Sequence, residues 1–393
     1  MRRRKATYKK RTRIGTAGKP DFHLLIIVSF LTLFGWIMVY SSSVIVAFSQ
    51  DRNSWYYFYR QFIWIILGLI AGYFLYRFDY HKLPKVAPIL ITASILMLIV
   101  VLFAGVEIGG AKRWIDLPLF DPQPSEFTKL ALIIYLASWL SRKTKAIKYK
   151  NPLRNYLVVE MLPFLLILSI ILVLILIEPD LGTTALIGIV ALGMYYMAGE
   201  GFIHNIGFFA IMLTSTLIGL LAAFLESYRI NRIKTYLTVL KTGTPEDRLG
   251  SGYQLSQMLT AIGAGGILGE GFGQSRQKFN YLGETAFSDT IFAVIAEELG
   301  LLGASAIVAC FLYISLRGLK IAQNAPDKLG ALLASGITLW ISFQAFLNIA
   351  ANVGLIPLTG IALPFISYGG SSMIVLLASL GLLLNISKYA NLD

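Results

Sequence analysis

An all-α polytopic membrane fold is predicted by three observations. Apolar runs of near-membrane length recur along the chain, charge is scarce, and basic residues collect in the short segments between the runs. The 393-residue chain is 56% hydrophobic, with a mean hydropathy of +0.69. Only 14% of its residues are charged, against about 25% in a soluble domain. A helix needs about 20 mostly apolar residues to cross a bilayer. Ten runs qualify: 24–48, 62–76, 86–105, 127–140, 157–177, 181–198, 206–225, 290–316, 331–351 and 372–386. The runs at 127–140 and 372–386 are short and must borrow flanking residues. The first run follows a basic tail, 1–23, but is too long for a signal core and lacks a small-residue cleavage site. It is therefore predicted to stay as the first span of a membrane domain, 24–386, followed by a short tail, 387–393.

Charge sets the orientation. With the N-terminus inside, the inner segments carry 22 of the 34 Lys and Arg residues and the outer loops 11. The remaining one, Lys129, lies within a span. Most of the outer cations sit in one long loop, and long loops count little in this rule. The prediction is ten spans, N-in and C-in, in a cytoplasmic membrane. The net charge of +13 is thus a topology signal and not the footprint of a nucleic-acid surface. Cys310 is the only cysteine, so no disulfide forms within the chain. His23, His81 and His204 lie far apart and form no metal motif. No phosphate-binding Gly-x-x-x-x-Gly-Lys-Ser/Thr string occurs, so no nucleotide drives the protein.

Polar residues at span edges mark candidate sites. Asp289 ends a polar segment and precedes the run from Ile291. The charge count turns it to the outer face, where a carboxylate is easy to leave in water. The loop before it, 226–288, has 63 residues and is too long to be idle. It holds a helix-like piece, 253–262, and the Gly-rich string from Gly263 to Gly273. Part of it is predicted to dip back into the membrane plane, packed on protein or lining a cavity.

Glu126 and Lys129 stand three apart and share a helix face, with Ser125 as a candidate cap. The pair serves either as an ordinary helix start or to present Lys129 to a polar cavity. Asp180, in Glu178-Pro179-Asp180, is either a helix N-cap or a site residue. Ser367 to Ser372 forms either a tight outer turn or a set of anion donors at a helix start. Glu297 and Glu298 lie two turns below Asp289, where two acids cannot both face lipid. One is expected to pair with a cation from another span and the other to be protonated. A structural role is favoured over proton relay.

Together these strings resemble one family. Gly110-Ala111-Lys112-Arg113-Trp114-Ile115, Gln123-Pro124-Ser125-Glu126 with Lys129, and Pro179-Asp180-Leu181-Gly182-Thr183 fit its pattern. So do Tyr253-Gln254 with Gln257, Ala261 to Gly266, Gly271, Gly273, Ser275, Gln277-Lys278, Asp289, Ile291 to Ile295, Glu297-Glu298 and Pro364 to Ser372. The chain resembles the SEDS family, of the FtsW, RodA and SpoVE type, from its first span to its last. It departs from the pattern with Gly283 and Ala362 where Pro is usual, and with Glu178 where Gln is common. One extra residue stands between Glu284 and Asp289.

The resemblance implies a peptidoglycan glycosyltransferase that polymerises lipid II, working with a class B penicillin-binding transpeptidase and other division or elongation proteins. The basic tail and the Asp289 to Val294 string lean toward the FtsW-like division branch, with elongation close behind. Asp289 becomes the candidate general base for an attacking sugar hydroxyl. The leaving pyrophosphate needs cations, for which Lys129, Arg229 and Lys278 come first, with Lys112 and Arg113. Glu126, Asp180, Gln254, Gln257, Ser275, Ser371 and Ser372 complete the expected substrate contacts. A divalent cation, Mg2+ or Mn2+, could assist, although no cluster of acids in the sequence demands one. Two rivals fit the same residues: a flippase for the lipid-linked precursor, and a scaffold that only recruits a transpeptidase.

Overall fold

The computed structural model describes residues 18–108, 111–117, 121–142, 151–199, 202–223, 230, 234–239, 252–279 and 281–391. Each predicted apolar run coincides with a helix. These are α1 (Phe22–Ser49), α2 (Tyr56–Arg77), α3 (Leu83–Ala104), α4 (Pro124–Leu140), α5 (Leu162–Ile177), α6 (Leu181–Ala198), α7 (Phe202–Ala223), α9 (Ile291–Gln323), α10 (Lys328–Asn352) and α11 (Gly370–Ser387). Between α7 and α9 lies the shorter α8 (Tyr253–Gly265), on the segment expected to be helix-like. Among the described residues eight helices are long and apolar enough to cross a membrane. The protein is therefore a polytopic membrane protein.

Three features depart from the sequence reading. The first is a small antiparallel hairpin, β1 (Gly105–Ile108) with β2 (Ala111–Ile115), between α3 and α4. The chain leaves α3 at Gly105, where a Cβ would strike the Val101 carbonyl at 2.3 Å. The second is a π-helical turn, Tyr156–Met161, leading into α5 just before Pro163, which has no N–H to continue a regular ladder. The third is in α9, which runs on to Gln323 and is broken at Gly300 (φ 66, ψ −168).

The break at Gly300 explains the Gly-rich string. A regular helix leaves no backbone group free in lipid, and a broken one must find partners elsewhere. The Glu297 and Glu298 carbonyls accept from the N–H groups of Glu270 and Gly271, both at 3.0 Å. Leu301 and Leu302 donate to the Gly266 and Ile267 carbonyls. The loop thus lies against α9 down to Gly300, about 13 Å along the axis from Ile291. A Cβ at Gly269 would fall 2.2 Å from the Glu298 carbonyl, and one at Gly265 2.0 Å from that of Ala296. Only glycines let the two backbones come this close.

The centre of the bundle is α10 and α11, the most enclosed of the long helices. Helix α11 lies along α2, where Gly68, Gly72 and Gly381 form the contact. A Cβ on Gly72 would stand 2.6 Å from the Leu377 carbonyl, and one on Gly381 2.0 Å from that of Gly72. Small residues replace the missing hydrophobic drive between helices in lipid. At one end the first and last helices are tied together. The Asp21 N–H donates to Ser387 Oγ (3.0 Å), and Arg317 Nε to the Asp21 carboxylate. The Tyr80 hydroxyl donates to Asp327 (2.6 Å) at the start of α10. The described ends of the chain therefore share one face, and Asp289 lies at the other, beside Asn352 at the far end of α10.

Candidate functional site

Asp289 sits between a 3-10 turn (Gly283–Phe287) and the first turn of α9, half-buried. Its backbone is held from two sides. Its carbonyl accepts from Asn348 Nδ2 (2.7 Å) and Asn352 Nδ2 (2.9 Å), both on α10. On the other side, Tyr368 N–H donates to the Phe287 carbonyl (2.8 Å) and Ser367 Oγ to that of Ser288. Three consecutive carbonyls, at 287, 288 and 289, thus all have partners. Ser288 Oγ also donates to the Asp289 carboxylate (3.0 Å).

The second group surrounds Lys129. Its ammonium is buried, 2.7 Å from Glu126 and 3.2 Å from Gln344 Oε1, and stands 5.2 Å from the Trp340 ring centre. The adjoining cavity is walled by Leu132, Leu136, Leu186, Val190 and Met194, so Lys129 turns to amide and carboxylate partners and not to a polar cavity. Glu126 Oε2 and Ser125 Oγ are buried without a hydrogen-bond partner. Ser125 therefore does not cap α4. The helix begins at Pro124, so Ser125 lies inside the first turn and the N-cap position falls to Gln123. Ser371 Oγ accepts the Gln123 N–H instead (3.0 Å) and fixes how the chain enters α4.

Asp180 caps α6, accepting from the Thr183 N–H and hydroxyl, both at 2.9 Å. Arg113 grips the same turn from the hairpin through the carbonyls of Glu178 (3.1 Å) and Pro179 (2.6 Å). Glu178 is fully buried and neither carboxyl oxygen has a hydrogen-bond partner. Burial, with Asp180 beside it, pushes this carboxyl up to about 8, while Arg113 pulls the other way. A groove of about 560 Å³ opens beside it, lined by Leu102, Phe103, Glu107, Lys112, Ile177 and Pro179. Exposed Lys112 stands on the groove's rim of the hairpin.

The third group lies deeper, at the break in α9. Lys278 Nζ donates to Glu298 (2.7 Å), Ser41 Oγ (3.0 Å) and the Gly273 carbonyl (2.7 Å). Glu297 accepts from Ser275 Oγ (2.5 Å) and from the N–H groups of Arg276 and Gln277. The expected cation from another span is thus replaced by one from the loop, because the loop itself packs on this part of α9. Lys278 is nearly enclosed, with Glu298 and Ser41 around it. Gln254 and Gln257 lie half-buried on α8, and Ser372 half-buried in the first turn of α11. Arg229 lies outside the described residues. The sequence reading passed over Gln344, Asn348 and Asn352, although three amides four residues apart on an apolar span are a readable signal.

These features define a class: a multi-pass membrane protein with a polar site at one end of its bundle, beneath a loop folded against a broken helix. The chain belongs to the cell cycle protein family of FtsW, RodA and SpoVE, whose family model matches residues 22–392. It is 40% identical to the stage V sporulation protein E of Bacillus subtilis, over 94% of this chain and 98% of that protein. It is 38% identical to a probable peptidoglycan glycosyltransferase FtsW of Trichlorobacter lovleyi, over 93% of each. Among solved structures it is similar to a chain of a peptidoglycan synthase complex that coordinates polymerization and crosslinking (TM-score 0.74, 27% identity, covering 94% and 97%). It is also similar to the rod shape determining protein RodA of Thermus thermophilus (TM-score 0.65, 25% identity, covering 95% and 98%).

Proposed function

We propose that the chain is a peptidoglycan glycosyltransferase that polymerises lipid II at the outer face of a bacterial cytoplasmic membrane, with Asp289 as general base. The observation that carries this reading is the position of Asp289. It is a partly exposed carboxylate at the end of the bundle opposite the described chain ends, on a backbone held from two sides. With ten spans and both termini inside, that end is the outer one, where lipid-linked sugars meet water. A base so placed takes the proton of the attacking sugar hydroxyl as the new glycosidic bond forms, an effect worth about 10²–10⁴-fold. The donor's anomeric carbon releases undecaprenyl pyrophosphate, and the phosphates keep the bonding electrons.

Lys112, exposed beside an apolar groove, is suited to the departing diphosphate and its tail. Arg113 and Lys129 serve at one remove, by holding the turn and the helix that shape the site. Gln254, Gln257 and Ser372 are the partly open polar groups left for the sugars and stem peptide. Among the described residues no three acids, histidines or cysteines group as a metal centre. Mg2+ or Mn2+ could assist the departing diphosphate. The natural partner is a class B penicillin-binding transpeptidase. A division role is preferred, in keeping with the FtsW and SpoVE relatives.

The test is lipid II polymerisation by the purified chain with its transpeptidase. Asp289→Asn is expected to insert and fold but to yield no glycan strands. Near-parent polymer from that variant would overturn the role of Asp289. Movement of labelled lipid II across liposomes without polymer would favour a flippase.

A further inference from the structure

Gln344, Asn348 and Asn352 occupy one face of α10 on successive turns, about 6 Å apart, and all three are buried. A buried amide is costly unless its donors and acceptor find partners. These amides use their N–H groups on irregular backbone. Gln344 Nε2 donates to the Ala362 carbonyl (2.9 Å), and Asn348 Nδ2 to those of Ile361 and Asp289, both at 2.7 Å. Asn352 Nδ2 reaches the Asp289 and Asn348 carbonyls, both at 2.9 Å. Their oxygens are used too. Gln344 Oε1 accepts from Lys129 (3.2 Å) and Trp340 Nε1 (2.6 Å), and Asn352 Oδ1 from the Ala293 N–H (3.2 Å).

The last contact shows what the ladder does. In a helix extended backward by two residues, the Asp289 carbonyl would accept the Ala293 N–H. Here Ala293 donates to the Thr290 carbonyl (3.0 Å) and to Asn352. The Asp289 carbonyl is drawn across to α10 instead. The two asparagines occupy both groups that would otherwise close another turn, so α9 starts at Ile291 and Asp289 stays outside it. A helix turns about 100° per residue, so extending it would carry the carboxylate to another side of the bundle.

We propose that Asn348 and Asn352 are positioning residues that hold Asp289 out of α9, and that Gln344 extends the same ladder to Lys129, fixing base and cation in one frame. The proposal rests on the reading of Asp289 as the base. A misplacement of about 1 Å can cost 10²-fold in turnover while leaving substrate binding intact.

The test uses full-length protein with its transpeptidase. Asn352→Asp keeps the shape and the acceptor for Ala293 but removes the donor. It is expected to lower kcat about 10–100-fold, with KM for lipid II within about twofold, as expected for an interaction that matters in the transition state. Its new carboxylate should also move the pH of half-maximal turnover upward, which a loss of folded protein would not do. Hydrogen exchange at residues 289–293 is read on Asn352→Leu, which removes both the donor to the Asp289 carbonyl and the acceptor for the Ala293 N–H, and should slow as the helix lengthens. Asn348→Ser, which removes the other side-chain donor to the Asp289 carbonyl, serves the turnover and exchange tests if Asn352→Asp fails to insert, and with no new charge it should leave the pH profile in place. Turnover within twofold of the parent together with unchanged exchange would overturn the proposal. Activity in Asp289→Asn would instead overturn the assignment of the base, and the exchange measurement would still judge the ladder.

Discussion

The ion pair between Lys278 and Glu298 allows two roles for one lysine to be separated. Both side chains are buried, and the ammonium makes three hydrogen bonds, to Glu298, Ser41 and the Gly273 carbonyl. Lys278→Met removes all three and leaves Glu298 enclosed with only the Ser41 hydroxyl. Breaking a buried pair from one side costs about 3–5 kcal/mol, because the remaining charge has no compensation. Glu298→Gln in the same chain removes that charge and keeps an acceptor for Ser41. The double variant should recover most of the loss, giving a coupling of at least about 2 kcal/mol in a double-mutant cycle. Unfolding by SDS in mixed micelles measures the stabilities, and lipid II polymerisation is read in parallel. A cost below about 1 kcal/mol for Lys278→Met, or simple additivity of the two changes, would refute the structural argument. If the double variant regains stability but makes no polymer, the Lys278–Glu298 pair serves turnover as well as folding.

Two further outcomes follow from the geometry. The Glu178 carboxyl is held protonated up to about pH 8, against an ordinary value of 4.5. Its raised value means that stability is fully present below about pH 4.5 and is lost as pH rises toward 8, by up to about 1.4 kcal/mol per pH unit. Glu178→Gln should therefore melt higher than the parent at pH 8 and the gap should narrow at pH 5; equal gaps at both would contradict this. Gly381→Leu puts side-chain atoms where a Cβ alone meets Gly72 backbone at 2.0 Å. It should separate α2 from α11 and abolish folded protein on size exclusion, whereas Ser379→Ala, whose hydroxyl bonds only within its own helix, should not.

The helices were legible because a membrane span needs a long apolar run, and each run, from 24–48 to 372–386, matched a helix. The turn at 178–180 was legible for the same reason, since Pro179 leaves little room for anything else. The hairpin at 105–115 was not. Its strands are four and five residues long, too short for a periodic signal between two spans. The break at Gly300 was hidden because one glycine in an apolar run ordinarily continues a helix. Only the partner glycines at 265–271 give it meaning, and they lie some 30 residues away. Asp289 was found from its edge position and the family strings, but what holds it was missed. Asn348 and Asn352 contact it across more than 50 residues of chain, and nothing local to Asp289 points to them.

The pairing of α2 with α11 has a consequence for how the protein is made. About 290 residues separate Arg77 from the start of α11. At about 5–20 residues per second, a ribosome needs roughly 15–60 s to supply the missing helix. Through that interval the groove around Gly68 and Gly72 is open to lipid, as is the socket for Asp21 and Ser387. The centre of the bundle is filled only when α11 enters the membrane. A chain stalled before α11 would therefore present an uncovered glycine seam to the lipid.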